Sequence, residues 1–481
     1  MDEVAWIPCP LRSAARRSPD APAIAGSAVS LTYRELDHLV SASEVGIRDL
    51  GLGVGDRVAL HFPRDERYFV LLLALMRAGC VACLLSTRLP ARVAALLPER
   101  ITCRALISTS EEVLEAATVR TLRPADLLAG EAAAGRSRLC DEVWLALERP
   151  STVVFTSGSA GAPKAALHTF GNHYLSALGS NANIQLGQGD RWLHSLPLYH
   201  VGGLSILFRC LLAGATVVLS EPGVPLGEAI AQSGATHVSL VSTQLLRLLR
   251  EEGFVGDGIK AILLGGGPIP TPLVDEAYAC GLPIHTSYGL TEMASQVTTT
   301  PPGASRTELH TSGCPLAYRE VTVSEEGEIL VRGETLFAGY IEGEAVDRPL
   351  DADGWFRTGD LGEVDENGYL RVQGRKDNLF VSGGENIQPE EIEEALTQLD
   401  GVEEAVVVPV SDPEFGERPV AFVRMVRRTV EPEALAPALR QLLPGFKIPV
   451  AFHVWFEGIG SMKVDRAAFK ERARRLYRKR E

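Results

Sequence analysis

Nine consecutive residues, Thr156-Ser157-Gly158-Ser159-Ala160-Gly161-Ala162-Pro163-Lys164, carry the densest chemistry in the chain. Two glycines permit a tight turn in which backbone N–H groups converge on an anion, with three hydroxyls and a lysine beside them. That is the chemistry of a phosphate grip. The Gly-x-x-x-x-Gly-Lys-Ser/Thr spacing of a P-loop is absent, and Ala165 follows Lys164 where a P-loop has a metal-reaching hydroxyl. On these residues alone a polar surface turn after Val153-Val154-Phe155 is the competing account.

Four further stretches could complete a site. Leu196-Pro197-Leu198-Tyr199-His200-Val201-Gly202-Gly203-Leu204-Ser205 suits a pocket wall against which backbone and ligand approach closely, His200 being equally readable as a packed strand-end histidine. Ala261-Ile262-Leu263-Leu264 ends in Gly265, Gly266 and Gly267, bare backbone on which a flat ring can lie. Ser287-Tyr288-Gly289-Leu290-Thr291-Glu292 adds an aromatic, hydroxyls and a carboxylate able to hold a metal on phosphates, or else a helix capped by Thr291. Asp360, after Gly359, could hold a ribose through paired hydrogen bonds, or form a turn.

The elements that position these residues alternate. Thr32 with Glu35 signals a helix start running to Leu50. A strand at Arg57–Phe62, a helix at Tyr68–Arg77 and a strand at Val81–Leu85 continue the pattern, so a layered α/β fold with a largely parallel sheet is expected. Gly327–Gly333 and Gly368–Val372 read as antiparallel strands. Gly374-Arg375-Lys376-Asp377-Asn378 marks a boundary, giving a large domain over 1–376 and a small α+β domain over 377–481. The latter has a helix at Pro389–Leu399, strands at Glu404–Pro409 and Pro419–Val426, and a helix at Glu433–Leu443.

Length and charge set limits. The 481 residues exceed one compact core, and a net charge of −14 argues against broad nucleic-acid binding. The start of the chain shows no secretory pattern, the apolar run at Tyr68–Ser86 is interrupted by Arg77 and Gly79, and eight scattered cysteines suit a reducing compartment. Cys80 and Cys83 form a Cys-x-x-Cys pair without a second pair, better read as buried thiols than as a zinc site. A cytoplasmic protein with no membrane span is expected, with self-association left open. The cationic tail at Lys470–Arg480 reads as a solvated helix face.

In order and spacing, TSGSAGAPK, LPLYHVGGL, GGG, SYGLTE, GEILVRG, GWFRTGD, GRKDNLFVSGGENI and a late lone lysine resemble the adenylate-forming superfamily of acyl-CoA synthetases, amino-acid adenylation domains and luciferases. The resemblance implies a large N-terminal domain of layered α/β sheets with a β-barrel-like subdomain, and a small mobile α+β domain. It implies ATP, Mg²⁺ and CoA as cofactors and co-substrates. Thr156, Ser157, Gly158, Ser159, Gly161 and Lys164 would hold the β- and γ-phosphates. Gly265, Gly266 and Gly267 with Ser287, Tyr288, Gly289 and Thr291 would bracket adenine. Asp360 and Arg375 would hold the ribose, and Glu292 the metal. Lys463 would bridge the substrate carboxylate and the α-phosphate, with Thr156, His200 and Glu292 also at the reacting centre. Asp377 would be the hinge, and Gly383 and Gly384 would line the CoA channel. Two departures stand out: Ala160 replaces the usual hydroxyl, and Met462 replaces the usual glycine before Lys463.

The Tyr199-His200 motif lacks the aspartate with which amino-acid adenylation domains pair a substrate ammonium. The strings TFGNHYLSA, HVGGLSIL and STQLLRLL are similar to those of the ortho-succinylbenzoate–CoA ligase group of menaquinone synthesis. That likeness implies an aromatic keto-diacid, whose second carboxylate would want His200, Ser205 or Arg247, with Gly289 also against the acyl group. Other aryl- or acyl-CoA ligases, a carrier-protein-loading enzyme and a non-catalytic adenylate-binding scaffold are the alternatives.

Overall fold

A computed structural model describes residues 5–26, 29–128, 142–156, 163–425, 435–456 and 465–477. Two large sheets dominate it. The first runs Ala345–Asp347, Gly339–Glu342, Lys164–Thr169, Pro150–Thr156, Val81–Leu84, Arg57–His61, Ala105–Ser108, Arg120–Leu122. Pairing is parallel from Pro150–Thr156 through Arg120–Leu122, and antiparallel at the other end. The second runs Cys314–Pro315, Ser295–Thr299, Ile284–Leu290, Ala261–Leu264, His237–Leu240, Arg191–Leu193, Thr216–Val218, Pro22–Ala25, Ser30–Thr32.

Parallel strands need both faces covered, and the core clusters show how that is met. The largest cluster joins Leu60, Leu84 and Val154 of the first sheet to Ile24, Trp192 and Leu263 of the second. Between them lie the helices Tyr33–Asp49, Glu66–Ala78, Phe170–Ile184 and Val201–Ala213. The outer face of the second sheet packs under Leu226–Ser233, Ser242–Arg250 and Thr271–Ala279; that of the first packs under Ala91–Arg100. The architecture is therefore a stack of helices and sheets in alternation, as expected.

Local signals explain the helix ends. The Thr32 side chain accepts from the Glu35 N–H while Glu35 returns a bond to the Thr32 N–H, a complete capping box. Asp65 caps Glu66–Ala78, and Gly79 ends it at φ 84°, a left-handed conformation open to glycine without strain. The strand-rich part is a four-stranded antiparallel sheet, Glu320–Val323, Glu328–Arg332, Phe356–Val364, Leu370–Arg375. Its apolar face packs on Phe337, Tyr288 and Met293.

From Phe380 onward the strands Glu385–Ile387, Phe380–Ser382, Gly416–Met425 and Val402–Asp412 form another sheet, with Ala451–Val454 beside Gly416–Met425. Its two apolar clusters draw every member from residue 380 or later. Of the expected helix at Glu433–Leu443, the described residues show Leu435–Leu439 as α-helix; beyond it the Gln441 and Leu442 N–H groups reach back only three residues, a tightened last turn before Pro444, which has no N–H to continue it. Polar contacts join this unit to the rest, among them Arg250 to Glu403 at 3.2 Å and Thr271 to Glu394 at 3.0 Å. Among the described residues no helix is long and apolar enough to cross a membrane.

Candidate active site

The hairpin Pro150–Thr156 and Lys164–Thr169 sets Thr156 directly opposite Lys164. The ends of the glycine-rich loop are thus pinned by strand pairing. Ser157, Gly158, Ser159, Ala160 and Gly161 lie outside the described residues, as does Lys463. Lys164 is exposed, and its Nζ lies 4.8 Å from the centroid of the Tyr340 ring.

Gly265 ends its strand against Ser287, where an added Cβ would fall 2.6 Å from the serine Oγ. Gly266, at φ 85°, and Gly267 are exposed backbone. Tyr288, buried beside them, donates its hydroxyl to Asp360 Oδ2 at 2.6 Å. Arg375 donates to Asp360 Oδ1 at 3.0 Å from the neighbouring strand, where the two residues are register partners. The bare backbone at Gly265–Gly267 and the Asp360 carboxylate thus lie to either side of one tyrosine. Gly289 admits no side chain, since its Cβ would fall 2.3 Å from the Ser295 carbonyl oxygen.

Thr291 does not cap an α-helix but opens the single turn Thr291–Met293. Its carbonyl accepts from His168 Nε2 at 2.7 Å, so that nitrogen carries the proton; burial depresses the His168 pKa to about 4 and keeps the ring neutral. Glu292 is held twice. Its carbonyl accepts from the Phe337 N–H at 2.7 Å, and its Oε1 from the Tyr340 hydroxyl at 2.5 Å. Among the described residues no three His, Cys, Asp or Glu side chains converge as a metal cage. One half-buried carboxylate with a second oxygen to spare fits a hard cation carried mainly by phosphate and water, the Mg²⁺ pattern.

His200 is exposed at the N-terminus of Val201–Ala213, its ring edge-on to Tyr199 at 4.8 Å. One helical turn on, Ser205 Oγ lies 3.3 Å from Ser295 Oγ. Arg247 does not join them. It is exposed on Ser242–Arg250, an amphipathic surface helix whose apolar side is buried, and its charge acts on Glu404. The cation that stands with Ser205 is Arg209, buried, bonded to Ser295 Oγ at 3.2 Å and Gln296 Oε1 at 2.7 Å, and stacked on Trp192. Its Nε and Nη1 have no hydrogen-bond partner among the described residues. Burial lowers its pKa to about 9, and buried Arg319 nearby is lowered likewise, by burial and then by Arg209. Sequence reading missed Arg209, although an arginine within the apolar run of Val201–Ala213 was a visible signal. Tyr340 and His168 carried no local signal.

Asp377 is exposed in the short turn Lys376–Asn378, 3.5 Å from Arg375. Gly383 and Gly384, at φ 59° and 88°, make the two-residue turn between Phe380–Ser382 and Glu385–Ile387.

Comparisons with known proteins show which family the chain resembles along its length. The model of the AMP-binding enzyme family matches residues 11–341, and that of the AMP-binding enzyme C-terminal domain matches 391–458. A 2-succinylbenzoate–CoA ligase of Bacillus licheniformis is 33% identical over 468 residues, covering 94% of this chain and 96% of that protein. The o-succinylbenzoate CoA synthetase of Bacillus subtilis with the acyl-adenylate OSB-AMP superposes at TM-score 0.87, with 30% identity over 97% of this chain and 99% of that one. The same enzyme with ATP and magnesium ion superposes at 0.83, with 31% identity over 94% and 96%.

Proposed function

The chain belongs to the AMP-binding enzyme family, and from that premise we propose that it is an AMP-forming acid–CoA ligase acting on 2-succinylbenzoate, in menaquinone biosynthesis. In the first step a carboxylate oxygen of the acid attacks the α-phosphorus of ATP; the new O–P bond forms as the bond to pyrophosphate breaks. In the second the CoA sulfur attacks the acyl carbon, and the bond to AMP breaks. Two anions meet in the first step, so positioning and charge cancellation supply most of the rate.

The residues divide this work. Thr156 and Lys164, with the loop between them, are assigned to the β- and γ-phosphates, and Gly265–Gly267, Ser287 and Tyr288 to adenine. Asp360, presented by Tyr288 and Arg375, is assigned to the ribose, and Lys463 to the reacting carboxylate and α-phosphate. Glu292 would hold Mg²⁺, which when bound supplies charge neutralisation to the phosphates. We assign 1–376 and 377–481 as the two domains, a division supported by the separate apolar clusters beyond residue 380, with Asp377 as hinge and Gly383 and Gly384 beside the pantetheine arm. A cytoplasmic setting suits ATP and CoA as substrates and the free cysteines among the described residues.

The observation that carries the substrate is Arg209. A buried guanidinium with no carboxylate bonded to it among the described residues, and two unbonded nitrogens, is an unsatisfied demand for an anion. A monocarboxylic acid spends its only carboxylate at the α-phosphate. A keto-diacid brings a second, for which Ser205, Ser295 and Arg209 form the receiving wall, in place of Arg247. The test is a panel of aryl acids with ATP and CoA, read by thioester mass. Product from 2-succinylbenzoate and none from benzoate-type monoacids is expected; the reverse refutes the substrate and leaves the family standing.

A further inference from the structure

The strands Lys164–Thr169 and Gly339–Glu342 pair antiparallel with Ala166 opposite Tyr340. Residues two apart share a sheet face, which makes Lys164 the diagonal neighbour of Tyr340 and places its ammonium 4.8 Å from the ring centroid. The other end of the same side chain donates to Glu292 Oε1 at 2.5 Å. Phe337 meets the ring edge-on at 4.8 Å and limits its rotation. One stiff side chain thereby spans the two groups assigned above to the γ-phosphate side and to the metal.

We propose that Tyr340 is a positioning residue of the adenylation step: its hydroxyl aims the Glu292 carboxylate and its ring seats the Lys164 ammonium, fixing the distance between metal carboxylate and phosphate cation. The inference rests on the roles given above to Glu292 and Lys164. A phenol suits the task because it must donate to a carboxylate at neutral pH. The role is separable from folding, because the Glu292 backbone is held independently by the Phe337 N–H, and that of Thr291 by His168. Loss of the hydroxyl frees only the carboxylate.

The experiment measures binding of α,β-methylene ATP by calorimetry with and without Mg²⁺, alongside AMP binding and thermal melting, for wild type, Tyr340→Phe, Tyr340→Leu and Glu292→Gln. Tyr340→Phe should reduce the Mg²⁺-dependent gain in analogue affinity about tenfold, the worth of one hydrogen bond to a charged group. AMP affinity, Mg²⁺-free analogue affinity and melting temperature should stay at wild-type values. Tyr340→Leu should in addition weaken Mg²⁺-free analogue binding about threefold, through loss of the ring under Lys164. Wild-type Mg²⁺ dependence in Tyr340→Phe, with loss in Glu292→Gln, overturns the proposal and leaves the Glu292 assignment standing. Unchanged Mg²⁺ dependence in Glu292→Gln overturns both. AMP affinity and melting temperature falling in step with analogue affinity in Tyr340→Phe make the residue a packing element and overturn it as well.

Discussion

The hydroxyl of Tyr288 donates to one carboxylate oxygen of Asp360 at 2.6 Å, while Arg375 holds the other at 3.0 Å. The carboxylate is thus oriented before any ligand arrives, and the ribose assigned to it would meet a fixed pair of acceptors. Tyr288→Phe keeps the ring and removes the donor. AMP and ATP affinity should fall about tenfold, the worth of a charge-assisted bond, with KM for the acid unchanged. Calorimetric AMP titration and steady-state kinetics check this; equal losses for acid and nucleotide would contradict it.

Arg209 makes a prediction in which stability and function separate. Arg209→Met replaces a desolvated cation by an apolar chain of similar length, a change that is often neutral or stabilising. Melting temperature should hold or rise, while KM for 2-succinylbenzoate rises about tenfold or more. Arg247→Met, on the exposed face of its helix, should leave that KM unaltered.

Acid sensitivity follows from buried histidines. Burial depresses the pKa values of His61, His168, His173, His194, His237 and His285, to about 4, 3 and 4 for His168, His194 and His237. Unfolded histidine titrates near about 6.5. Between that value and the folded ones the unfolded chain binds more protons, so stability is complete above pH 6.5 and is lost as pH falls. Each such group removes about 1.4 kcal/mol per pH unit inside its window. Urea unfolding at pH 7.5, 6 and 5 should show a decline worth several protons; a flat profile would refute it.

Adjacent glycines at the pocket wall should behave differently. A Cβ on Gly203 would fall 2.1 Å from the Pro197 carbonyl oxygen, whereas one on Gly202 meets only the flexible end of Leu196 at 3.2 Å. Gly203→Ala should cost about 3 kcal/mol, and Gly202→Ala, in the first turn of a helix, less than about 1 kcal/mol in either direction. Thermal melts of the two variants decide.

Lys463→Ala should remove adenylation by about two orders of magnitude and spare thiolysis of supplied acyl-adenylate. Single-turnover assays of the two half-reactions measure the split. Equal loss in both would end the assignment.

The features legible in the sequence were local ones: the Thr32–Glu35 capping box, strand and helix alternation, the glycines after Leu264, and the strand-rich stretch carrying Asp360. Each rests on residues within a few positions of one another. Tyr340 and His168 were invisible because Tyr340 meets Lys164 and Glu292 across 176 and 48 positions, and His168 meets Thr291 across 123, only through tertiary packing. Arg209 went unread because burial, which marks it out, is not visible in sequence. A helix of alternating Leu and Arg shows its cations readily, while a single arginine among Leu, Ile and Phe looks like noise until its helix is found between two sheets.

The strand pairing of Thr156 with Lys164 bears on how the loop assigned to the phosphates can change. A segment whose ends are clamped by a sheet is closed whatever its length, and lengthening it by one residue adds only about 0.1 kcal/mol of closure entropy. Insertions or exchanges between the two, including the unusual Ala160, can therefore alter nucleotide affinity while the melting temperature stands still.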